Sequence, residues 1–166
     1  DNFIKLKAYG WPDFNKMNLI HNAVDCCVQI SYAEGFGLST LESMQCGNPI
    51  IAQKTGGLTR QVVDHRDGSE NGIALDVEFQ TLVGSQHVPY IYEDYCSTDK
   101  IADAFMKLYD MSPDERKALG QKAKKYVKEE FSYQKTIDLW DDSLTNLIES
   151  WEKNKDSRKQ WSIQSF

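Results

Sequence analysis

Residues 26–76 alternate short apolar runs with helical patterns, and this rhythm restricts the fold more than any other feature of the chain. "CCVQIS" (26–31) is a short strand. A helix follows over roughly 37–46, with Leu38, Leu41 and Met44 at helical spacing. Gly47 supplies a left-handed stop, and Asn48-Pro49 forbids continuation. "PIIAQ" is the next strand, "GGLTRQVVD" a glycine-opened helix, and "NGIALD" another strand. Strand, helix, strand, helix, strand requires parallel pairing with helices on the faces. The fold class is therefore α/β, a Rossmann-like parallel sheet with helices on both faces. Upstream, "FIKLKAY" (3–9) alternates like a strand and "GWP" breaks it. Asp13 then caps a short helix with Phe14, Met17 and Ile20 on one side.

Residues 77–97 leave this rhythm. They carry Pro89, Tyr90, Tyr92 and Tyr95 and read as an inserted loop or short hairpin. Three helices come next. One spans about 99–110. The second opens at Ser112-Pro113-Asp114-Glu115, a capping box with proline at the first helical position, and runs to about 130. The third covers about 133–151, with Ile137, Trp140, Leu144, Leu147 and Trp151 as its apolar stripe. The domain is thus expected over residues 1–151, with a polar tail at 152–166. The chain opens at Asp1 directly in a strand pattern, so it reads as a piece of a longer protein.

In sheets of this kind ligands sit at the carboxyl ends of strands. "SYAEGFGLSTLE" (31–42) lies at such a place, with Glu34 and Glu42 eight positions apart around Gly35-Phe36-Gly37. The glycines let the backbone turn tightly and approach a ligand. Amides at the following helix start form an anion site, which suits a diphosphate. A carboxylate about 4 Å from a phosphate would repel it by roughly 4 kcal/mol at an intermediate dielectric. Both glutamates must therefore reach past a diphosphate to neutral hydroxyls, and a nucleoside-diphosphate sugar offers these on either side. Ser39-Thr40-Leu41-Glu42 also matches a capping box, which leaves a structural role for Glu42 open.

The ordered stretch "SYAEGFGLSTLESMQCGNPIIA", followed by "TGGLTRQVVD", resembles the donor-binding signature of family 4 retaining glycosyltransferases. Gly10 and "NKMNLIHNAVDCCVQIS" match the usual upstream order, and the resemblance covers about residues 3–76 closely. It implies a GT-B fold, two Rossmann-like domains facing across a cleft, of which this chain would be the C-terminal, donor-binding half. Glu34 would be the catalytic carboxylate, holding hydroxyls of the transferred sugar. Amides around Gly35, Phe36, Gly37, Leu38 and Ser39 would hold the diphosphate, and Glu42 the ribose hydroxyls. Gly10 and Trp11 would lie near the base, and Thr55-Gly56-Gly57 would line the cleft floor. The parent would transfer a sugar to an acceptor with retention, in polysaccharide or glycoconjugate biosynthesis. No cofactor or metal is expected. The family's usual arginine and lysine pair is not matched by Lys5, Lys7 or Lys16, and the N-terminal domain with the acceptor site is missing. The fragment alone is therefore expected to be inactive.

The net charge of −6 argues against nucleic-acid or anionic-membrane binding, and no apolar run is long enough to cross a bilayer. Any peripheral membrane contact would belong to the missing domain. Cys26, Cys27, Cys46 and Cys96 read as reduced thiols of a cytoplasmic protein. His21 falls on the polar side of its short helix, and His65 and His87 in loops. Tyr90, Tyr92 and Tyr95 could touch an acceptor or a base, but read first as packing for the insertion. "KALGQKAKKYVKEE" reads as an exposed, charge-laced helix, and Trp140 and Trp151 as packed on the domain or on the missing one. Two other functions fit the fold: a non-catalytic nucleotide-binding or interaction module, and a nucleotide-sugar epimerase.

Overall fold

The computed structural model describes residues 17–155. The expected strand at 3–9, Gly10, Trp11, Asp13, Phe14, Lys16 and the tail from 156 lie outside the described residues. The chain divides into two compact units, residues 1–128 and 129–166.

In the first unit the order is α1 (Met17–Asn22), β1 (Cys27–Gln29), α2 (Leu38–Cys46), β2 (Ile50–Gln53), α3 (Gly56–Val62) and β3 (Ile73–Leu75). The hairpin β4 (Phe79–Ser85) and β5 (Val88–Tyr95) follows, then α4 (Thr98–Asp110) and α5 (Pro113–Glu130). Strands β1, β2 and β3 form one parallel sheet in that order, pairing Gln29 with Ala52 and Ala52 with Ala74. The alternation read from residues 26–76 is this sheet.

β2 is its central strand, and all four of its residues are buried. Such continuous burial requires cover on both faces. On one side Ile51, Ile73 and Leu75 pack with Ala104 and Leu108 of α4. Leu41 and Met44 of α2, and Leu58 and Val62 of α3, are buried as well. Gly47, at φ 89°, ends α2, and its N–H bonds to the Met44 carbonyl as expected of a left-handed stop. The capping box at α5 also forms. Ser112 Oγ accepts from the Glu115 N–H at 3.3 Å, while Glu115 Oε2 accepts from the Ser112 N–H at 2.7 Å.

Residues 77–97 are an antiparallel hairpin with Phe79 opposite Tyr95 and Leu82 opposite Tyr92. The tyrosines do not all pack as expected. Tyr90 and Tyr92 are exposed, and Tyr95 alone stacks. α5 is not the wholly exposed helix expected either. Gly120, Ala123, Tyr126 and Val127 are buried along one face. Its many lysines hide a stripe of small and apolar residues at three- and four-residue spacing.

The second unit contains α6 (Tyr133–Lys153), capped by Ser132, whose side chain accepts from the Lys135 N–H. The helix expected at 133–151 is this one. Trp140 and Trp151 on it are exposed. Among the described residues no helix is long and apolar enough to cross a membrane, and no cluster of His, Cys, Asp and Glu could hold a metal ion.

Candidate functional site

β1 and β2 are parallel neighbours, so the segments leaving their carboxyl ends lie side by side. The first is the turn at 31–37, the second the turn at 54–57. Their backbones interlock. The Gly57 N–H donates to the carbonyls of Glu34 and Gly35, at 3.3 and 3.2 Å. Thr55 Oγ1 lies 3.5 Å from the Tyr32 carbonyl. Gln61, fully buried on α3, reaches back and donates to the Phe36 carbonyl at 2.5 Å. Gly56 sits at φ 48°, and a Cβ there would lie 1.8 Å from the Glu34 carbonyl oxygen. These glycines are required because two backbones meet where a side chain would stand.

The turn delivers the chain into α2. Gly37, at φ 87°, is the residue before the helix, and no side chain caps it. The first helical amides, from Leu38 and Ser39, are therefore left for water or a ligand. The capping box that sequence left open for Glu42 does not form, because the helix begins before Ser39. Glu42 lies instead in the second turn, its side chain 44% exposed, with Oε2 3.5 Å from His21 Nε2. Leu38, expected in the apolar stripe with Leu41 and Met44, is exposed, as is Phe36 beside it. At the first position of a helix it lies beyond the reach of the core below.

Glu34 is partly buried. Gln29 Nε2 donates to Ser31 Oγ at 2.6 Å and lies 3.4 Å from Glu34 Oε2. The end of β1 thus steers the carboxylate through one amide. The hairpin braces the same turn from outside. The Asp94 N–H donates to the Tyr32 carbonyl at 2.7 Å, and the Tyr32 and Tyr95 rings stack with centroids 4.3 Å apart. Phe79 stacks on Tyr95 in turn, at 5.0 Å. Sequence reasoning read the insertion's tyrosines first as packing and did not foresee a brace on this turn. The only signal for this contact was an aromatic residue at each end of the insertion and one at position 32.

The structure thus brings together Glu34, Gly35, Phe36, Gly37, Leu38, Ser39, Glu42, Thr55, Gly56 and Gly57. Gly10 and Trp11 lie outside the described residues. His21 was expected on a polar helix face, and it is buried, 7% exposed, because α1 lies against α2. Lys54, at the start of the second turn, pairs with Asp76 at 2.6 Å, and this bond holds the Asp76 carboxyl below its ordinary range. A hollow of about 210 Å³, lined by Leu75, Asp76, Lys100 and Lys107 among others, runs along β3 and α4.

Residues 4–80 match the family model described as glycosyl transferases group 1. Among relatives, a D-inositol 3-phosphate glycosyltransferase from Pseudarthrobacter chlorophenolicus is 35% identical over 61% of this chain and 19% of its own length. A trehalose synthase from Pyrococcus horikoshii is 27% identical over 80% of this chain and 26% of its own. Among solved structures, the sucrose-phosphate synthase of Thermosynechococcus elongatus superposes with a TM-score of 0.58 at 25% identity. It covers 85% of this chain and 29% of that one. The C-terminal domain of a glycosyl transferase group 1 family protein from Francisella tularensis gives a TM-score of 0.54 at 24% identity. That match covers 78% of this chain and 60% of that one. The fold is that of GT-B glycosyltransferase domains. The chain spans only about a fifth to a quarter of the length of these two curated relatives.

Proposed function

We propose that this chain, a group 1 glycosyltransferase domain over residues 4–80, is the donor-binding half of a retaining glycosyltransferase. The parent takes a nucleoside-diphosphate sugar and passes its sugar to an acceptor hydroxyl, with the nucleoside diphosphate leaving from the face that the acceptor enters. Amides at the start of α2 hold the diphosphate, aided by the helix dipole. Glu34 holds hydroxyls of the sugar and Glu42 those of the ribose, with Gly10 and Trp11 near the base. No metal takes part in this reading. Lys54, the cation at the start of the second turn, is already paired with Asp76. The acceptor and a second Rossmann-like domain complete the cleft, with the enzyme on the cytoplasmic side.

One observation carries this reading. Two glycine turns interlock at the carboxyl ends of adjacent parallel strands, opening onto an uncapped helix start with one carboxylate before it and one after it. The named relatives favour transfer over the epimerase and the binding-module readings.

Titration with UDP, GDP and ADP tests the site. Glu42→Ala should weaken the best of them by about 1.5–3 kcal/mol, the range for hydrogen bonds to charged groups, with little change in melting temperature. A destabilised domain with unchanged nucleotide affinity would overturn the ribose assignment.

A further inference from the structure

We infer that His21 is a positioning residue for nucleotide binding, holding the Glu42 carboxylate in the orientation that meets the ribose. This rests on the reading of Glu42 given above and extends it to a residue to which that reading gives no role.

His21 is 7% exposed, and its Nε2 has no hydrogen-bond partner among the described residues. A buried polar nitrogen without a partner is uncommon and unfavourable. The group it faces is Glu42 Oε2, 3.5 Å away. That separation is too long for a formed hydrogen bond and short enough to become one by a small rotation of either side chain. With its proton on Nε2, the imidazole donates to one carboxylate oxygen. A carboxylate accepts at both oxygens, so Oε1 stays available to a ligand hydroxyl.

The backbone that carries the imidazole is itself held. Asn48 Nδ2 donates to the His21 carbonyl and also lies 3.2 Å from Ser43 Oγ on α2. Asn22 Nδ2, at the end of α1, approaches Cys46 Sγ at 3.8 Å. α1 is thus fastened to both the middle and the end of α2, the helix that carries Glu42. A side chain as exposed as Glu42 samples several rotamers, and binding must select one of them. An imidazole fixed beneath one oxygen makes that selection before the ligand arrives.

The test uses the nucleoside diphosphate among UDP, GDP and ADP that binds best, and its 2′,3′-dideoxy counterpart. His21→Phe keeps the volume and removes the donor. It should weaken the ribonucleotide about threefold to tenfold, the scale of one hydrogen bond, and leave the dideoxy compound unchanged. His21→Gln, which restores a donor, should recover most of the loss. Adding His21→Phe to Glu42→Ala should weaken binding no further. Equal loss for both ligands, or additive loss in the double variant, overturns the inference while leaving the Glu42 assignment intact. If Glu42→Ala itself fails to distinguish the two ligands, the ribose assignment falls, and the inference with it. Should His21→Phe not fold, the comparison of His21→Gln with His21→Ala across the same two ligands decides the matter.

Discussion

Gly56→Ala probes the interlocked turns at their tightest point. The added methyl would sit 1.8 Å from the Glu34 carbonyl oxygen, whereas real Cβ contacts essentially never fall under 3.0 Å. The obstacle is backbone, so no rotamer change relieves it. The left-handed φ of 48° costs an L-residue about 1–2 kcal/mol, and overpacking adds about 1–3 kcal/mol. Together these amount to about 2–5 kcal/mol, a large part of the roughly 5–15 kcal/mol that holds a domain together. At about 2–4 °C per kcal/mol for a chain of this size, the melting temperature should fall by roughly 4–20 °C. Gly35→Ala is the internal control. It lies in the facing 31–37 turn, yet a Cβ there would meet nothing within 4 Å, so the cost should stay within about 0.5 kcal/mol. Paired thermal melts of the two variants, with nucleoside diphosphate titrations on whatever remains folded, provide the readout. If Gly56→Ala melts alongside Gly35→Ala, the 31–37 and 54–57 turns are not in backbone contact, and the site built on that contact is wrong.

Glu34→Gln should barely alter binding of a nucleoside diphosphate, which has no sugar for it to hold, and should weaken binding of the intact nucleotide sugar. Equal losses in calorimetry would place Glu34 in a structural role. Asp64 is buried, and its carboxylate accepts from the Arg66 guanidinium at 2.7 Å, which holds its pKa down at about 2. A depressed carboxylate lends stability above its unfolded value near about 4, and that stability is lost as pH falls from there toward 2. Asp64→Asn should therefore lower the melting temperature at pH 6 and converge with the parent near pH 2. A gap that persists at low pH would refute the charge argument.

The parts of the fold legible in the sequence were those written locally. Gly47 and Asn48-Pro49 mark the end of α2, Ser112 through Glu115 the start of α5, and the apolar "PIIAQ" a strand buried on both faces. The parts that were not legible depend on what packs against what. α1 has six residues, fewer than two turns, too short for a period to reveal which side is covered. His21 therefore read as polar and proved buried. α5 hid its apolar stripe because Gly120 and Ala123 carry little hydrophobic signal, although a Cβ at Gly120 would lie 1.9 Å from the Gly47 carbonyl oxygen. Gln61 gave no warning that it would be fully buried and bonded to the Phe36 carbonyl.

The spacing of the two glutamates follows from where α2 begins. With Gly37 just before the helix, the first three helical positions are Leu38, Ser39 and Thr40. An acid at the third of these would fold back on the helix start and compete with an anion for its amides. Glu42 comes two residues later, about 6 Å along the axis from Leu38 at 1.5 Å per residue. At that height a carboxylate would stand beside an anion held by the first amides rather than among them, and like-charge repulsion would keep it there. Glu34 lies on the other side, ahead of the turn and tied down through the Gly57 N–H to its carbonyl. Moving the second glutamate two residues earlier, to position 40, would convert the proposed ligand contact into a cap. Sequence spacing alone could not separate these outcomes, because Ser39 through Glu42 fits a cap equally well until the helix start is located at Leu38.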